Sequence, residues 1–203
     1  MMRRWLLHLL LLAVAMGCGR SPNARFYTLD AIARSDDASP TSYVVVVGPV
    51  SVPPAVDRPQ LVLQVAPNRV TVDESHRWAS PLDDGVARAI AGDLAVLLGT
   101  SHVAALPATG VVPTHRVAVD VQRFDSRPGE GVLIEALWVV SAAEGGEATA
   151  GRTIAREPVE GTDIEAVAAA HSRALATVSG DIAAAIRAEA SRPRPPAAKR
   201  PAH

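Results

Sequence analysis

Cysteine is scarce in this protein: Cys18 is the single cysteine in 203 residues. A lone cysteine excludes any disulfide within the chain. In an exported protein, an unpaired cysteine would be a free reactive thiol. Cys18 lies directly after Gly17, at the end of an apolar stretch. This position favours chemical modification of the thiol over a structural role.

Long apolar runs are also lacking. Residues 5–16 form an apolar run that is shorter than the roughly 20 residues a transmembrane helix needs. The run follows the basic residues Arg3 and Arg4 and precedes a small residue, which is the order of a secretory signal peptide. We therefore predict a signal peptide over residues 1–17 and a covalent lipid on Cys18. Residues 18–24 then form the lipidated cysteine and a short tether.

Catalytic and ligand-binding motifs are missing as well. The sequence has no Gly-x-Ser-x-Gly, so it predicts no nucleophile elbow. Its histidines are scattered along the mature chain rather than spaced as metal ligands: His76, His102, His115, His171 and His203. We therefore predict no catalytic residue, no metal and no cofactor apart from the lipid. A hydrolytic or metal site assembled in space from distant residues is the alternative.

The charge distribution excludes a further class of partner. Residues 18–190 carry 14 basic and 21 acidic side chains, a balance of −7, whereas residues 191–203 hold basic side chains, no acid and much proline. An acidic body argues against nucleic acid as the main partner. The proline-rich basic tail cannot pack a core, and we predict that it is disordered.

Alternating and β-branched stretches predict eight strands. Residues 43–48 are almost continuously β-branched and should be buried on both faces. Three consecutive strands joined by glycine turns predict an antiparallel meander. The strands are expected at residues 25–30, 43–48, 60–65, 69–73, 102–106, 115–124, 132–140 and 148–157.

Apolar stripes at helical spacing predict two helices. The first should be capped by Ser80, begin at Pro81 and end at Gly99. The second should begin at Thr162, whose spacing to Glu165 matches a capping box. Their stripes are Leu82, Val86, Ala89, Ile90, Leu94 and Leu97, and Ile164, Val167, His171, Leu175, Val178, Ile182 and Ile186.

These elements predict an α+β fold: an antiparallel or mixed β-sheet with two amphipathic helices packed on one face. The predicted single domain spans residues 25–190, which is long enough for a real core. His171 lies on the apolar stripe of the second helix. Its position favours a core histidine, and a pH-sensing or binding role is the alternative.

Several segments together resemble a known family, the ABC-type transport auxiliary lipoproteins of the PqiC type. Ala15-Met16-Gly17-Cys18 resembles the bacterial lipobox, with Ala15 in place of the usual leucine. The other matching segments are Phe26-Tyr27-Thr28-Leu29, Val47–Pro53, Asp57-Arg58-Pro59-Gln60, Arg77-Trp78-Ala79-Ser80-Pro81-Leu82, Val121–Asp125 and Trp138. They are spread over nearly the whole mature domain.

This resemblance implies a non-enzymatic lipoprotein subunit that accompanies a periplasmic MCE-domain protein and, through it, an ABC permease and ATPase. Such systems move lipids between the inner and outer membranes. Since Gly19 rather than aspartate follows the cysteine, the resemblance also implies the periplasmic face of the outer membrane. A homo-oligomeric ring is compatible with a subunit that caps a tunnel.

Two loops supply candidate partner-binding residues. Asp57, Arg58 and Gln60 flank a proline-rich entrance to a strand, where rigid backbone can present side chains. Arg77 and Trp78 precede the first helix, and both residue types anchor protein interfaces. The other interpretation is that Asp57, Arg58 and Arg77 bond loop backbone. A different function is also compatible with the sequence: a stand-alone periplasmic lipoprotein holding a lipid or small apolar ligand between sheet and helices.

Overall fold

The computed structural model describes residues 23–35, 40–108, 110, 112–143, 145 and 147–191. Cys18, the predicted signal peptide and the basic tail beyond residue 191 lie outside these residues. The helices are α1 (Leu82–Leu98) and α2 (Ile164–Ala190). The strands are β1 (Arg25–Tyr27), β2 (Val45–Ser51), β3 (Gln60–Ala66), β4 (Arg69–Trp78), β5 (Val103–Ala105), β6 (His115–Arg127), β7 (Gly131–Ala142) and β8 (Thr149–Pro158).

The strands form two separate sheets. Together with the two helices, they confirm the predicted α+β class. The larger sheet has the order β5-β2-β6-β7-β8. Its strand β2 runs parallel to both β5 and β6, and the predicted meander β6-β7-β8 is antiparallel. The smaller sheet has the order β1-β4-β3. Here β1 is parallel to β4, and β3 and β4 form a hairpin.

Both helices pack on one face of the five-stranded sheet. α1 contacts β2 and β5, α2 contacts β6, β7 and β8, and the two helices contact each other. The alternation predicted for β6 is observed, with Val117, Val119 and Val121 buried towards the helices. In β2, the residues Val45–Val47 are all buried, as their continuous β-branching predicted. Burial of these stripes supplies most of the driving force for folding.

The helix ends differ in part from prediction. Gly99 ends α1 in the left-handed conformation, with φ 62°, as predicted. The capping role predicted for Ser80 is wrong, because the N-cap is Pro81 and the Ser80 hydroxyl instead accepts a hydrogen bond from Arg88 at 2.5 Å. The predicted Thr162–Glu165 capping box is also wrong. Asp163 caps α2 by accepting a hydrogen bond from the backbone N–H of Ala166 at 2.7 Å.

An N-terminal strap, residues 28–33, crosses both helices. The predicted first strand therefore stops at Tyr27, because the following backbone donates to helix side chains rather than to a strand. The N–H of Asp30 donates to Ser172 Oγ at 3.1 Å, and the N–H groups of Ile32 and Ala33 both donate to Asp93 Oδ1 at 2.8 Å. The other oxygen of Asp93 accepts from Ser179 on α2 at 3.1 Å. Asp93 thus joins the strap to both helices.

Candidate functional site

A proline-rich loop precedes β3 and presents Asp57 and Arg58 to solvent. The carbonyl of Pro53 accepts hydrogen bonds from the N–H groups of Val56 and Asp57 at 3.0 and 3.1 Å, which closes a tight turn. Val56 is buried beneath the turn and fixes it to the core. The backbone of this turn is therefore held from inside, and the charged side chains of Asp57 and Arg58 are left outside.

The two candidate segments lie side by side. The N–H of Trp78 donates to the carbonyl of Pro59 at 2.7 Å, and Gln60 lies directly opposite Arg77 in the β3–β4 ladder. Directly opposed residues project from the same face of a sheet, with their Cβ atoms about 5 Å apart. We call Asp57, Arg58, Gln60 and Arg77 the docking patch. The structure thus brings together the two segments that the sequence placed in separate loops.

An irregularity in β4 sets the position of Arg77. Gln60 pairs with Arg77 but the next residue, Leu61, pairs with Asp73, so residues 74–76 have no partner in β3. The carboxylate of Asp73 braces this bulge, because it accepts from the N–H of Ser75 at 2.9 Å and contacts His76 Nδ1 at 2.8 Å. Burial by itself would raise the pKa of Asp73, but the hydrogen bonds from His76 and Ser75 outweigh it and lower the pKa.

Arg77 is the central residue of the patch. It is partly buried, and its Nε is fully enclosed without a hydrogen-bond acceptor among the described residues. On its other side Arg77 lies opposite Phe26 of β1, a residue that is 64% exposed. Phe26 was not among the partner-binding residues predicted from the sequence. Its place in the Phe-Tyr-x-Leu segment was the one feature of the sequence that drew attention to Phe26. Its proximity to Arg77 follows only from the register of β1 against β4.

Trp78 does not present its ring at this patch. The side chain is only 6% exposed, and its ring lies edge-on to Phe124 with the centroids 6.0 Å apart. It also lies edge-on to His171 of α2, at 6.3 Å. Residues 77 and 78 point to opposite faces of β4, so Arg77 faces outwards while Trp78 enters the core. Trp78 therefore positions the patch from below.

His171 is a core residue, as its place on the helical stripe favoured. Its ring is fully buried and stacked on Phe124, with centroids 3.8 Å apart and planes 7° from parallel. Burial lowers the pKa of His171 to about 3, so the ring is neutral at physiological pH. Its Nε2 lies 2.8 Å from Ser126 Oγ, and its Nδ1 has no hydrogen-bond partner in the described part of the chain.

The contact between Ser126 and His171 has the separation of a nucleophile and its base, but its surroundings do not suit catalysis. Ser126 is 3% exposed and His171 0% exposed, so a substrate cannot reach the hydroxyl. Within the described ranges, no three His, Cys, Asp or Glu side chains are grouped as a metal site. The helices of those ranges are also too short or too polar to cross a membrane.

Two surface clefts lie near the small sheet. One of about 280 Å³ is enclosed by the N-terminal strap and the start of α1. The other, of about 220 Å³, lies between the β3–β4 hairpin and β6. Neither occupies the layer between the five-stranded sheet and the helices, where the ligand of a stand-alone lipid-binding protein was expected. That layer is filled by fully buried side chains, among them Ile90, Leu94, Ile134 and Ile182.

Comparison with solved structures shows that the fold occurs elsewhere. The crystal structure of a Xanthomonas campestris protein of the DUF330 family is similar, with a TM-score of 0.69 and 21% identity over 83% of this chain and 100% of that one. The crystal structure of an uncharacterised protein has a TM-score of 0.64 and 19% identity, over 82% of this chain and 99% of that one. No curated protein matches the sequence significantly. The model of one family, described as ABC-type transport auxiliary lipoprotein component, matches residues 27–183.

Proposed function

The chain belongs to the family of ABC-type transport auxiliary lipoprotein components, and from this premise we propose that it docks the periplasmic MCE-domain protein of a lipid transport system at the outer membrane. Membership makes the chain an auxiliary lipoprotein of an ABC-type transport system. The proposal adds the MCE-domain partner, the lipid cargo and the membrane. In this role the chain holds its partner in place and carries out no chemistry.

The proposed anchor is a covalent lipid on Cys18, exposed after removal of residues 1–17. Each buried methylene contributes about 0.8 kcal/mol to membrane binding, so more than one acyl chain gives a stable attachment. Gly19 follows the cysteine, which supports sorting to the outer membrane. The folded domain begins at Arg25, so the tether is short and keeps the domain close to the membrane surface.

The observation that carries the docking proposal is the pairing of Gln60 with Arg77. It joins Asp57, Arg58, Gln60 and Arg77 into one patch on a rigid frame, held by the bonds from Trp78 to Pro59 and from Val56 to Pro53. Rigid presentation of side chains lowers the entropic cost of binding a partner. Arginine is also one of the residue types that dominate binding energy at protein interfaces.

The test is affinity purification of the tagged full-length protein from native membranes, with mass-spectrometric identification of stoichiometric partners. We expect an MCE-domain protein in the wild-type sample. Its recovery should fall when Arg58 and Arg77 are both replaced by alanine. A matched control replaces Arg116 and Arg152, two exposed arginines of the five-stranded sheet, and should leave recovery unchanged. If mild crosslinking yields no stoichiometric partner, the docking function is refuted.

A Cys18→Ala variant tests the anchor in the same preparation. Because the thiol is the proposed site of lipid attachment, we expect this variant to leave the outer-membrane fraction and to lose the mass of the acyl chains. Retention of the variant in the outer membrane would contradict the anchor while leaving the docking patch to be judged on partner recovery alone.

A further inference from the structure

An exposed aromatic side chain lies beside an arginine whose Nε has no hydrogen-bond acceptor in the described part of the chain. Phe26 lies on β1, at the edge of the three-stranded sheet, and the residue is 64% exposed. It is directly opposite Arg77, which is directly opposite Gln60. These three side chains therefore form one row across the outer face of the small sheet.

Arg77 supplies the second observation. Its Nε is enclosed, and no acceptor among the described residues lies within hydrogen-bond distance. A buried donor without an acceptor is unfavourable, because it has lost water and gained no partner. The neighbouring Gln60 donates its amide N–H to the carboxylate of Glu74 at 3.1 Å, and its amide oxygen makes no hydrogen bond with Arg77 Nε. Arg77 therefore keeps unused hydrogen-bonding capacity at this position.

We propose that Phe26, Gln60 and Arg77 bind a segment of the protein partner that presents a carboxylate next to an apolar side chain. The inference rests on the proposed function and names the chemistry that this surface recognises. A guanidinium binds a carboxylate through two parallel hydrogen bonds. The exposed ring of Phe26 supplies the apolar area beside that ion pair.

The surrounding charges favour a protein carboxylate over the anionic surface of a membrane. Asp57 and Glu74 are exposed close to the row, and residues 18–190 have a balance of −7. An extended anionic surface would meet these acidic groups, whereas a single carboxylate can reach Arg77 alone. Phe26 follows Cys18 by eight residues, which is roughly 27 Å of extended chain. A partner bound here is consequently held near the membrane.

Photo-crosslinking from position 26 tests this assignment. Phe26 is replaced by a photo-reactive phenylalanine analogue in the full-length protein, which is irradiated in native membranes. Val112 receives the same analogue as a control, because it is 86% exposed and lies outside the small sheet. We expect position 26, and not position 112, to crosslink to the MCE-domain protein, at a peptide that contains an aspartate or glutamate.

Charge reversal then tests the role of Arg77. Arg77→Glu should lower recovery of the MCE-domain protein about tenfold, and replacing the mapped acidic residue of the partner by arginine should restore it. Phe26→Ala should also lower recovery, and its exposed position makes unfolding an inadequate explanation. Arg116→Glu is the control for a change of charge and should leave recovery unaltered.

The outcomes separate the two proposals. If the wild-type protein recovers the MCE-domain protein but position 26 crosslinks only to lipid, the surface contacts the membrane and this inference is overturned while the docking function stands. If the folded Arg77→Glu variant recovers as much MCE-domain protein as the wild type does, the inference is likewise overturned while the docking function stands. If the wild-type protein recovers no MCE-domain protein at all, the docking function fails and the inference fails with it.

Discussion

At the scale of single residues, two buried polar side chains on the helices differ in how far their hydrogen-bonding capacity is satisfied. His171 is stacked in an aromatic cluster, and its Nδ1 makes no hydrogen bond with any residue that the structure describes. Asp93 is equally buried but accepts three hydrogen bonds, two from the strap and one from Ser179. The pKa of Asp93 is raised because burial outweighs those bonds. The contribution of each residue to the free energy of unfolding should therefore depend on its hydrogen bonds and its pKa as well as on its burial.

His171 should make the protein less stable in acid. Its pKa is about 3 in the folded protein and about 6.5 in an unfolded chain. Between these values the unfolded chain binds more protons, so stability is lost as pH falls below 6.5, by up to about 1.4 kcal/mol per pH unit. We expect His171→Gln to lose this dependence. The check is chemical denaturation of both proteins from pH 7 to 4, and parallel curves would contradict it.

Asp93 should tolerate asparagine better than alanine. Asp93→Asn keeps an oxygen for the N–H groups of Ile32 and Ala33 and removes the buried charge, so we expect a change in unfolding free energy within about 1 kcal/mol. Asp93→Ala leaves both N–H groups without an acceptor and should cost about 2–4 kcal/mol, the loss of two part-buried hydrogen bonds to a charged acceptor. Chemical denaturation at pH 7 measures the unfolding free energy of both variants. Equal losses would show that the negative charge of Asp93 itself stabilises the fold.

At the scale of the element, the strap depends on close approach to α1. A Cβ added at Gly92 would lie 2.5 Å from the Cβ of Ala31, which is closer than such atoms pack. The strap carries the chain from β1, the strand nearest the proposed anchor, across the two helices. Its attachment therefore joins β1 and the small sheet to the two helices.

Gly92→Ala should loosen the strap without unfolding the domain. The added methyl group pushes Ala31 away, so the N–H groups of Ile32 and Ala33 should exchange with solvent at least about tenfold faster, a change of roughly 1.4 kcal/mol in local opening. Hydrogen exchange measures this directly. The double variant Gly92→Ala/Ala31→Gly removes the clash and should restore slow exchange. Failure of that rescue would place the cause within α1.

At the scale of the whole molecule, Trp78 connects the two sheets. Its backbone belongs to the three-stranded sheet, whereas its ring contacts Phe124 of the five-stranded sheet and His171 of α2. The docking patch is held by the small sheet, so its position relative to the domain depends on this contact. The sequence predicted Arg77 and Trp78 as an interface pair, whereas in the structure their side chains lie on opposite faces of β4.

Trp78→Ala should therefore lower the stability of the whole domain by about 3–5 kcal/mol, as for other large buried aromatic residues. Arg77→Ala should change it by less than about 1 kcal/mol, because its enclosed Nε makes no hydrogen bond among the described residues. Thermal and chemical denaturation of the two single variants distinguish these roles. Similar losses for both would mean that Arg77 is also structural.

Much of the fold could be predicted from local pattern. The stripes of α1 and α2, the alternation of β6 and the stop at Gly99 all occur as expected. Apolar periodicity and helix termination depend on residues that are close in the sequence, so both can be predicted from it. The helix starts were less well predicted, since Ser80 and Thr162 satisfy the local rule for a cap but Arg88 and Asp163 compete with them.

The sequence by itself determined the element types and the family, and it predicts an export signal, because each of these depends on residue types and on their order along the chain. Tertiary structure alone decided the division into two sheets, the burial of Trp78 and the row formed by Phe26, Arg77 and Gln60. These features arise from strand pairing and side-chain contacts between residues that are far apart in the chain. No local pattern specifies such partners, since they are selected by the free energy of the complete packed core.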